Sequence, residues 1–176
     1  MRHLVFILLA FGLSTHVVAA QVAATRYQRP GADCALFPAG KLIYDISGED
    51  GIVGDSITGR FTPTKQQVDS VENLLPVLLR NMTASPRFRG KERYYKKYLR
   101  SLPKSLKRYR RQYFGFYNSR QQPCLYINFF TPDVTYVNWL LRTVLVSDGG
   151  FMEDDSPNLW QVSFNLSTQQ LYNFNL

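Results

Sequence analysis

The chain has 176 residues, of which 45% are hydrophobic, and its 21 Lys or Arg against 13 Asp or Glu give a formal net charge of +8. This length is enough for one domain with a hydrophobic core of its own. There is no internal repeat or low-complexity segment, and no apolar run after the first 20 residues is long enough to cross a membrane, which argues against a transmembrane protein.

Residues 1–20 have the pattern of a cleaved secretory signal peptide. Arg2 and His3 supply a positive start, an apolar run follows over Leu4–Leu13, and Val18, Ala19 and Ala20 are small residues before a cleavage point. The run is too short to span a bilayer. We therefore predict a secreted or periplasmic protein without a transmembrane segment.

The distribution of histidine limits the chemistry of the mature chain. The two histidines, His3 and His16, both lie within the predicted signal peptide. Their removal takes away the usual general base, the Ser-His and Cys-His nucleophile pairs and the commonest transition-metal ligand. The sequence thus predicts no catalytic residue, no metal site and no cofactor, and it favours a binding protein over an enzyme.

Two cysteines, Cys34 and Cys124, remain after the predicted signal peptide. In an exported chain such a pair typically forms a structural disulfide, so we predict that Cys34 is bonded to Cys124. Pairing with another chain is the alternative.

The first elements in chain order are an arm, a strand and a helix. Residues 21–40 show no periodicity and predict an extended arm, and Lys41–Ser47 predicts a strand between glycines. A long amphipathic helix is predicted from about Pro63 to Met82, capped either by Thr62 with Pro63 at the first helical position or by Thr64 and Gln67 at the spacing of a capping box. Pro76 lies inside this helix and predicts a bend or a break near Asn73.

A strongly basic stretch follows, from Arg80 to Arg111. It contains thirteen Lys or Arg residues and one acid, Glu92, whereas the whole chain carries only +8, so the rest of the chain is net acidic. Tyrosines are interleaved with these charges over Lys91–Ser101, which has a helical composition, and Pro103 is predicted to end that helix. The stretch is predicted to be a basic helical insert.

The remainder of the chain alternates apolar and polar residues and predicts antiparallel strands. The predicted segments are Tyr113–Asn118, Cys124–Phe130, Thr143–Ser147, Leu159–Ser167 and Leu171–Leu176. Residues 134–141 are predicted to form either a short helix or a covering loop, with Trp139 buried. The aromatic residues of the strands are predicted to form the core.

We therefore predict an α+β fold in which one long amphipathic helix packs on an antiparallel meander of four or five strands. The element order resembles that of a cystatin-like roll, and this resemblance rests on topology alone and implies no function. The predicted single domain covers residues 41–176, preceded by the arm at 21–40.

The function that the sequence favours is binding through the basic-aromatic segment. Lys, Arg and Tyr side chains at this density suit an acidic protein partner or a polyanionic surface, and no signature of a specific nucleic-acid fold is present. The oligomeric state stays open. The candidate binding residues are Arg87, Arg89, Lys91, Arg93, Tyr94, Lys96, Lys97, Tyr98, Arg100, Lys104, Lys107, Arg108, Arg110 and Arg111.

Two alternatives from other classes remain. The first is a hydrolase without histidine that uses carboxylates, for which the acid-rich loop at Asp148–Asp155 and the acids Asp45 and Asp133 are the candidates. The second is a structural envelope protein that self-associates through a sheet edge or an aromatic face.

Overall fold

A computed structural model describes residues 23–40, 57–82, 100–134, 138–141 and 157–175. The predicted signal peptide, the predicted strands Lys41–Ser47 and Thr143–Ser147, and the loop Asp148–Asp155 lie outside these residues. The fold is α+β, as predicted, but the sheet is mixed and has seven strands within the described ranges. Within the described ranges, no helix combines the length and the apolar character needed to cross a membrane.

The sheet is larger than the predicted meander of four or five strands. Its main path runs β1-β2-β4-β5-β6-β7, and β3 pairs with β4. All pairs are antiparallel except β2 with β4. The strands are β1 (Thr25–Arg29), β2 (Ala32–Leu36), β3 (Gly59–Phe61), β4 (Arg110–Tyr117), β5 (Pro123–Phe130), β6 (Leu159–Asn165) and β7 (Gln170–Asn175).

The segment predicted as an extended arm, residues 21–40, belongs to the sheet. It supplies the hairpin β1-β2, whose turn contains Gly31 at a φ of 80°, and β2 lies parallel to the start of β4. The prediction of an arm and of a domain that begins at residue 41 is therefore wrong. The strands are short and lack clear alternation, so their sequence alone does not reveal the pairing with β4, which is distant in the chain.

The longest described helix, α1, begins at Lys65 and ends at Met82. The backbone N–H of Gln67 donates to Thr64 Oγ1 at 3.2 Å and the N–H of Thr64 donates to Gln67 Oε1 at 2.9 Å, which confirms the predicted capping box. The helix continues through Pro76, so the predicted break does not occur. Its buried side chains are Val68, Val71, Leu75 and Leu79.

The described end of the basic stretch is helical as well. Residues 100–105 are α-helical, and a short 3-10 helix covers Leu106–Arg108 and leads into β4. The predicted end of the helix at Pro103 is wrong, since helical residues lie on both sides of it. Leu102, Leu106 and Tyr109 are buried and join the same core cluster as α1.

The sheet has a core on each face. The face that carries α1 includes Phe129 and Trp160, whose rings stack with centroids 3.6 Å apart. The opposite face includes Phe37 and Phe114, stacked at 4.4 Å, and Trp139, which is buried as predicted. The prediction that the aromatic residues of the strands form the core is confirmed for these positions.

The two cysteines lie on opposite faces of this sheet. Cys34 is opposite Arg111 of β4 and joins the core on the α1 face, whereas Cys124 is opposite Phe116 of β4 and joins the other core. Residues 111 and 116 of a strand point to opposite sides, so the two thiols are separated by the sheet itself. Both cysteines are buried and no disulfide joins Cys34 to Cys124, so the predicted disulfide is wrong.

Candidate functional site

The basic segment, residues 100–108, is attached to the core through one side and presents cations on the other. Leu102 and Leu106, four residues apart, are buried against the α1 face of the sheet. Arg100, Lys104 and Lys107 have the spacing of an outer face and are all exposed. The sequence places apolar anchors and charges alternately, so folding separates them onto two sides.

These three cations are exposed and form no ion pair with another residue in the described ranges. The ion pairs of the described residues use Arg26, Arg29, Arg110 and Arg111, and none involves Arg100, Lys104 or Lys107. The stem of Lys107 runs along the turn between β1 and β2, because its Cγ would lie 3.6 Å from a Cβ placed on Gly31. The ammonium group can thus remain in solvent while the methylene groups pack on the hairpin. Arg108 is exposed beside it.

Arg110 was predicted to bind, and the structure places it elsewhere. Its guanidinium lies 5.4 Å from the centroid of the Trp139 ring, on the sheet face opposite α1, and its Nε is 3.8 Å from Asp33 Oδ2. Asp33 also accepts two hydrogen bonds from Arg26, at 2.8 and 2.9 Å. Arg110 is therefore part of a local charge cluster rather than of the basic segment.

Arg111 is a buried structural cation, and its assignment as a binding residue is wrong. Its side chain is 1% exposed, and its Nε lies 2.9 Å from Glu72 Oε1 on α1. The same carboxylate oxygen accepts a hydrogen bond from the hydroxyl of Tyr113, and Arg111 donates to the carbonyl of Tyr109. A strand alternates its side chains, so one of two adjacent arginines in β4 has to enter the core.

The charges of this cluster affect the titration of its neighbours. Burial, and then the negative charge of Glu72, raise the pKa of the Cys34 thiol to about 12. The same two causes, in the same order, raise the pKa of the Tyr113 hydroxyl well above its ordinary value. Both groups therefore stay protonated in the folded protein at neutral pH.

The hairpin β1-β2 adds cations that the sequence analysis did not single out, but they have partners. The Nη2 of Arg29 donates to Asn73 Oδ1 at 2.8 Å, and its Nε lies 3.5 Å from Asp69 Oδ1. The hydroxyl of Tyr27 donates to the carboxylate of Asp69 at 2.9 Å, and this hydrogen bond raises the pKa of Tyr27. These contacts hold the hairpin on α1.

The remaining predicted binding residues lie outside the described residues. They are Arg87, Arg89, Lys91, Arg93, Tyr94, Lys96, Lys97 and Tyr98. The hydrolase candidates Asp45 and Asp148–Asp155 lie outside them too, and Asp133 is exposed. Across the described ranges, no group of three or more His, Cys, Asp or Glu side chains is arranged to hold a metal ion.

A second feature, a polar groove at the far end of the sheet, was missed by the sequence analysis. It lies between the β4-β5 and β6-β7 turns and has a volume of about 350 Å³. The signal for it is the density of Asn and Gln in the two turns, which predicts turns but not that they meet. Its lining residues are Asn118, Ser119, Arg120, Gln122, Asn165, Thr168, Gln170 and Tyr172.

Comparison with protein-family models, with curated proteins and with solved structures found no match for this chain. The function is therefore argued from the geometry of these two surfaces.

Proposed function

We propose that the protein is an exported binding protein that recognises an acidic protein partner or an anionic surface through its basic segment. The observation that supports this best is the separation of roles within residues 100–108. Leu102 and Leu106 fix the segment to the core, and Arg100, Lys104 and Lys107 are exposed without ion pairs among the described residues.

Exposed cations on a segment that is anchored to the core favour the binding of a molecule with a high density of negative charge. Each exposed cation stays hydrated in the unbound protein. The electrostatic potentials of like charges on one face add, so the segment attracts negatively charged molecules over a longer distance than a single cation would. The anchoring of Leu102 and Leu106 reduces the entropy lost when the segment binds.

Export is proposed because residues 1–20 have the pattern of a signal peptide. The partner to be tested is therefore a molecule found outside the cytoplasm. The resemblance to a cystatin-like roll is kept as a proposal about topology only. The carboxylate hydrolase and the self-associating envelope protein stay predictions from the sequence.

The proposal is tested by a matched pair of double charge reversals. In Lys104→Glu with Lys107→Glu, we expect early elution from a sulfated-polysaccharide column and loss of partners captured at low salt. The control, Arg26→Glu with Lys65→Glu, changes the net charge equally at exposed positions outside both the basic segment and the polar groove and should elute close to wild type.

Competition separates the two kinds of partner. Release of the captured protein by a free sulfated oligosaccharide indicates an anionic surface, whereas release only by an acidic protein indicates a protein partner. Equal elution and equal capture by the two double variants would refute the role of the basic segment.

A further inference from the structure

The polar groove is built from two turns that are connected by carboxamide side chains. Gln122 Oε1 accepts hydrogen bonds from Asn118 Nδ2 at 3.1 Å and from Asn165 Nδ2 at 2.8 Å. These bonds link the β4-β5 turn to the end of β6. Because they use both acceptor positions of the Gln122 oxygen, its Nε2 is the atom left to donate to a ligand.

The backbone of both turns is fixed by the same residues. Asn118 Oδ1 accepts from the N–H groups of Arg120 and Gln122, and Asn165 Oδ1 accepts from those of Ser167 and Thr168, at 2.9 to 3.1 Å. The shape of the groove is therefore set before any ligand binds, which lowers the cost of binding.

Each turn also contains a glutamine in the left-handed region. The φ values are 59° at Gln121 and 55° at Gln169, where glycine or asparagine would fit with less strain. Such strained positions persist where the surrounding structure holds them, and they occur preferentially at functional sites.

A buried polar group lies next to the groove. Ser163 is 0% exposed and its Oγ has no hydrogen-bond partner. It precedes Asn165 by two residues on β6, so both side chains lie on the face opposite α1, and it is paired with Tyr172, a lining residue of the groove. A buried hydroxyl without a partner is costly, so the strand beside the groove retains a polar group that the described residues do not satisfy.

From these features we propose that the groove binds a carbohydrate unit that carries a carboxylate, such as a uronic acid residue. Carboxamides and hydroxyls give the directional hydrogen bonds that sugar hydroxyls require, and the edge or face of Tyr172 offers an apolar contact for sugar C–H groups. The Arg120 side chain is exposed and makes no ion pair with the described residues, and its guanidinium matches a carboxylate in a bidentate fashion.

Size and polarity support the same class of ligand. A volume of about 350 Å³ lies at the lower end of the range for small-molecule sites and suits one or two sugar rings. Every lining residue carries a polar group on its side chain, which disfavours a wholly apolar ligand of similar size. This site is independent of the basic segment, which packs on the other face of the sheet.

The test is a calorimetric titration of the purified protein with a uronic acid disaccharide, with a neutral disaccharide of the same size, and with an acidic dipeptide. We expect the uronic acid disaccharide to bind most tightly. Arg120→Gln should weaken its binding about tenfold or more, to the level of the neutral sugar. The side chain of Arg120 takes no part in the turn, so thermal unfolding should be unchanged.

Two further variants make the result specific. Gln170→Ala should weaken both sugars, whereas Lys104→Glu with Lys107→Glu should bind them as wild type does. The proposal is overturned by an absence of sugar binding, by equal affinity of wild type and Arg120→Gln, by loss of binding in the Lys104 and Lys107 variant, or by tighter binding of the dipeptide than of the sugar.

Discussion

Arg111 shows how differently two adjacent cations can act in one strand. Arg110 is half-buried beside Trp139, while Arg111 crosses the core to Glu72 under α1. A buried ion pair contributes little net stability compared with apolar residues, but the loss of one partner leaves a charge in a medium that solvates it poorly. The pair therefore specifies how α1 lies on the sheet more than it strengthens the fold.

We predict that Arg111→Met alone destabilises the protein by about 3 to 5 kcal/mol, because Glu72 is left buried without a counter-charge. Arg111→Met combined with Glu72→Gln should recover most of that loss, since glutamine is neutral and still accepts the hydrogen bond from Tyr113. Urea unfolding followed by circular dichroism measures both. Equal stability of the single and the double variant would contradict the buried ion pair.

Cys34 provides a pH-dependent prediction. Its thiol has a pKa of about 12 in the folded protein and close to 9.0 when exposed, so the unfolded state ionises first as the pH rises. A raised folded-state pKa gives stability that is complete below the unfolded value and is lost between the two. Tyr113, whose pKa is raised as well, adds to the loss from about pH 10 upward.

The urea midpoint of wild type should therefore fall as the pH rises from 9.0 toward about 12, and it should fall less in Cys34→Ala. Thiol titration in denaturant without reductant should find both cysteines reactive. Identical pH profiles for wild type and Cys34→Ala would refute the buried thiol, and absence of reactive thiols would restore the disulfide.

Strand β3 depends on a close contact with a glycine of β4. A Cβ at Gly115 would clash with the backbone carbonyl oxygen of Phe61, which is its partner in the antiparallel register. A Cβ at Gly59 would meet only the ring of Tyr117, at 3.3 Å. The two glycines lie in the same strand pair, so they form a matched comparison.

We predict that Gly115→Ala displaces β3 and destabilises the protein by roughly 1 to 3 kcal/mol, whereas Gly59→Ala is much milder because a side chain can move and a backbone cannot. Faster hydrogen exchange at the amides of β3 in Gly115→Ala would show where the strain is released. Similar stability and exchange for the two variants would contradict the close approach.

What the sequence could predict differs between elements for identifiable reasons. The capping box of Thr64 and Gln67 and the alternating strands β5 and β6 depend on local pattern, and they were predicted. Strand β2 pairs in parallel with β4, a contact between segments far apart in the chain, and its short sequence has no periodicity to reveal it. The disulfide prediction failed for the same reason, because spacing along the chain does not show which face a cysteine occupies.

The candidate surfaces were predictable to different extents. The basic stretch from Arg80 to Arg111 stands out by composition, but composition could not show that Lys104 is exposed and Arg111 is buried. The groove required knowing that two Asn- and Gln-containing turns meet, which only the sheet order establishes. A sequence can therefore indicate the chemistry of a surface before it indicates which residues form it.

Taken as a whole, the molecule has two candidate binding surfaces on opposite faces of one sheet. The basic segment precedes β4 and packs on the α1 face, and the groove begins where β4 ends, roughly 25 Å further along the eight-residue strand. Binding at one surface leaves the other accessible. Added salt should weaken binding at the basic segment strongly, because that binding depends on exposed charges. It should weaken binding at the groove less, because hydrogen bonds contribute more there.

The most direct test of the basic segment is the salt dependence of affinity for a sulfated oligosaccharide, measured by calorimetry. If Lys104 and Lys107 release counterions on binding, Lys104→Glu with Lys107→Glu should bind more weakly and show a shallower slope of log affinity against log salt concentration than wild type. Arg26→Glu with Lys65→Glu, whose exposed cations lie outside both candidate surfaces, should keep close to the wild-type slope. A slope that is the same in wild type and both double variants would contradict a binding role for the basic segment.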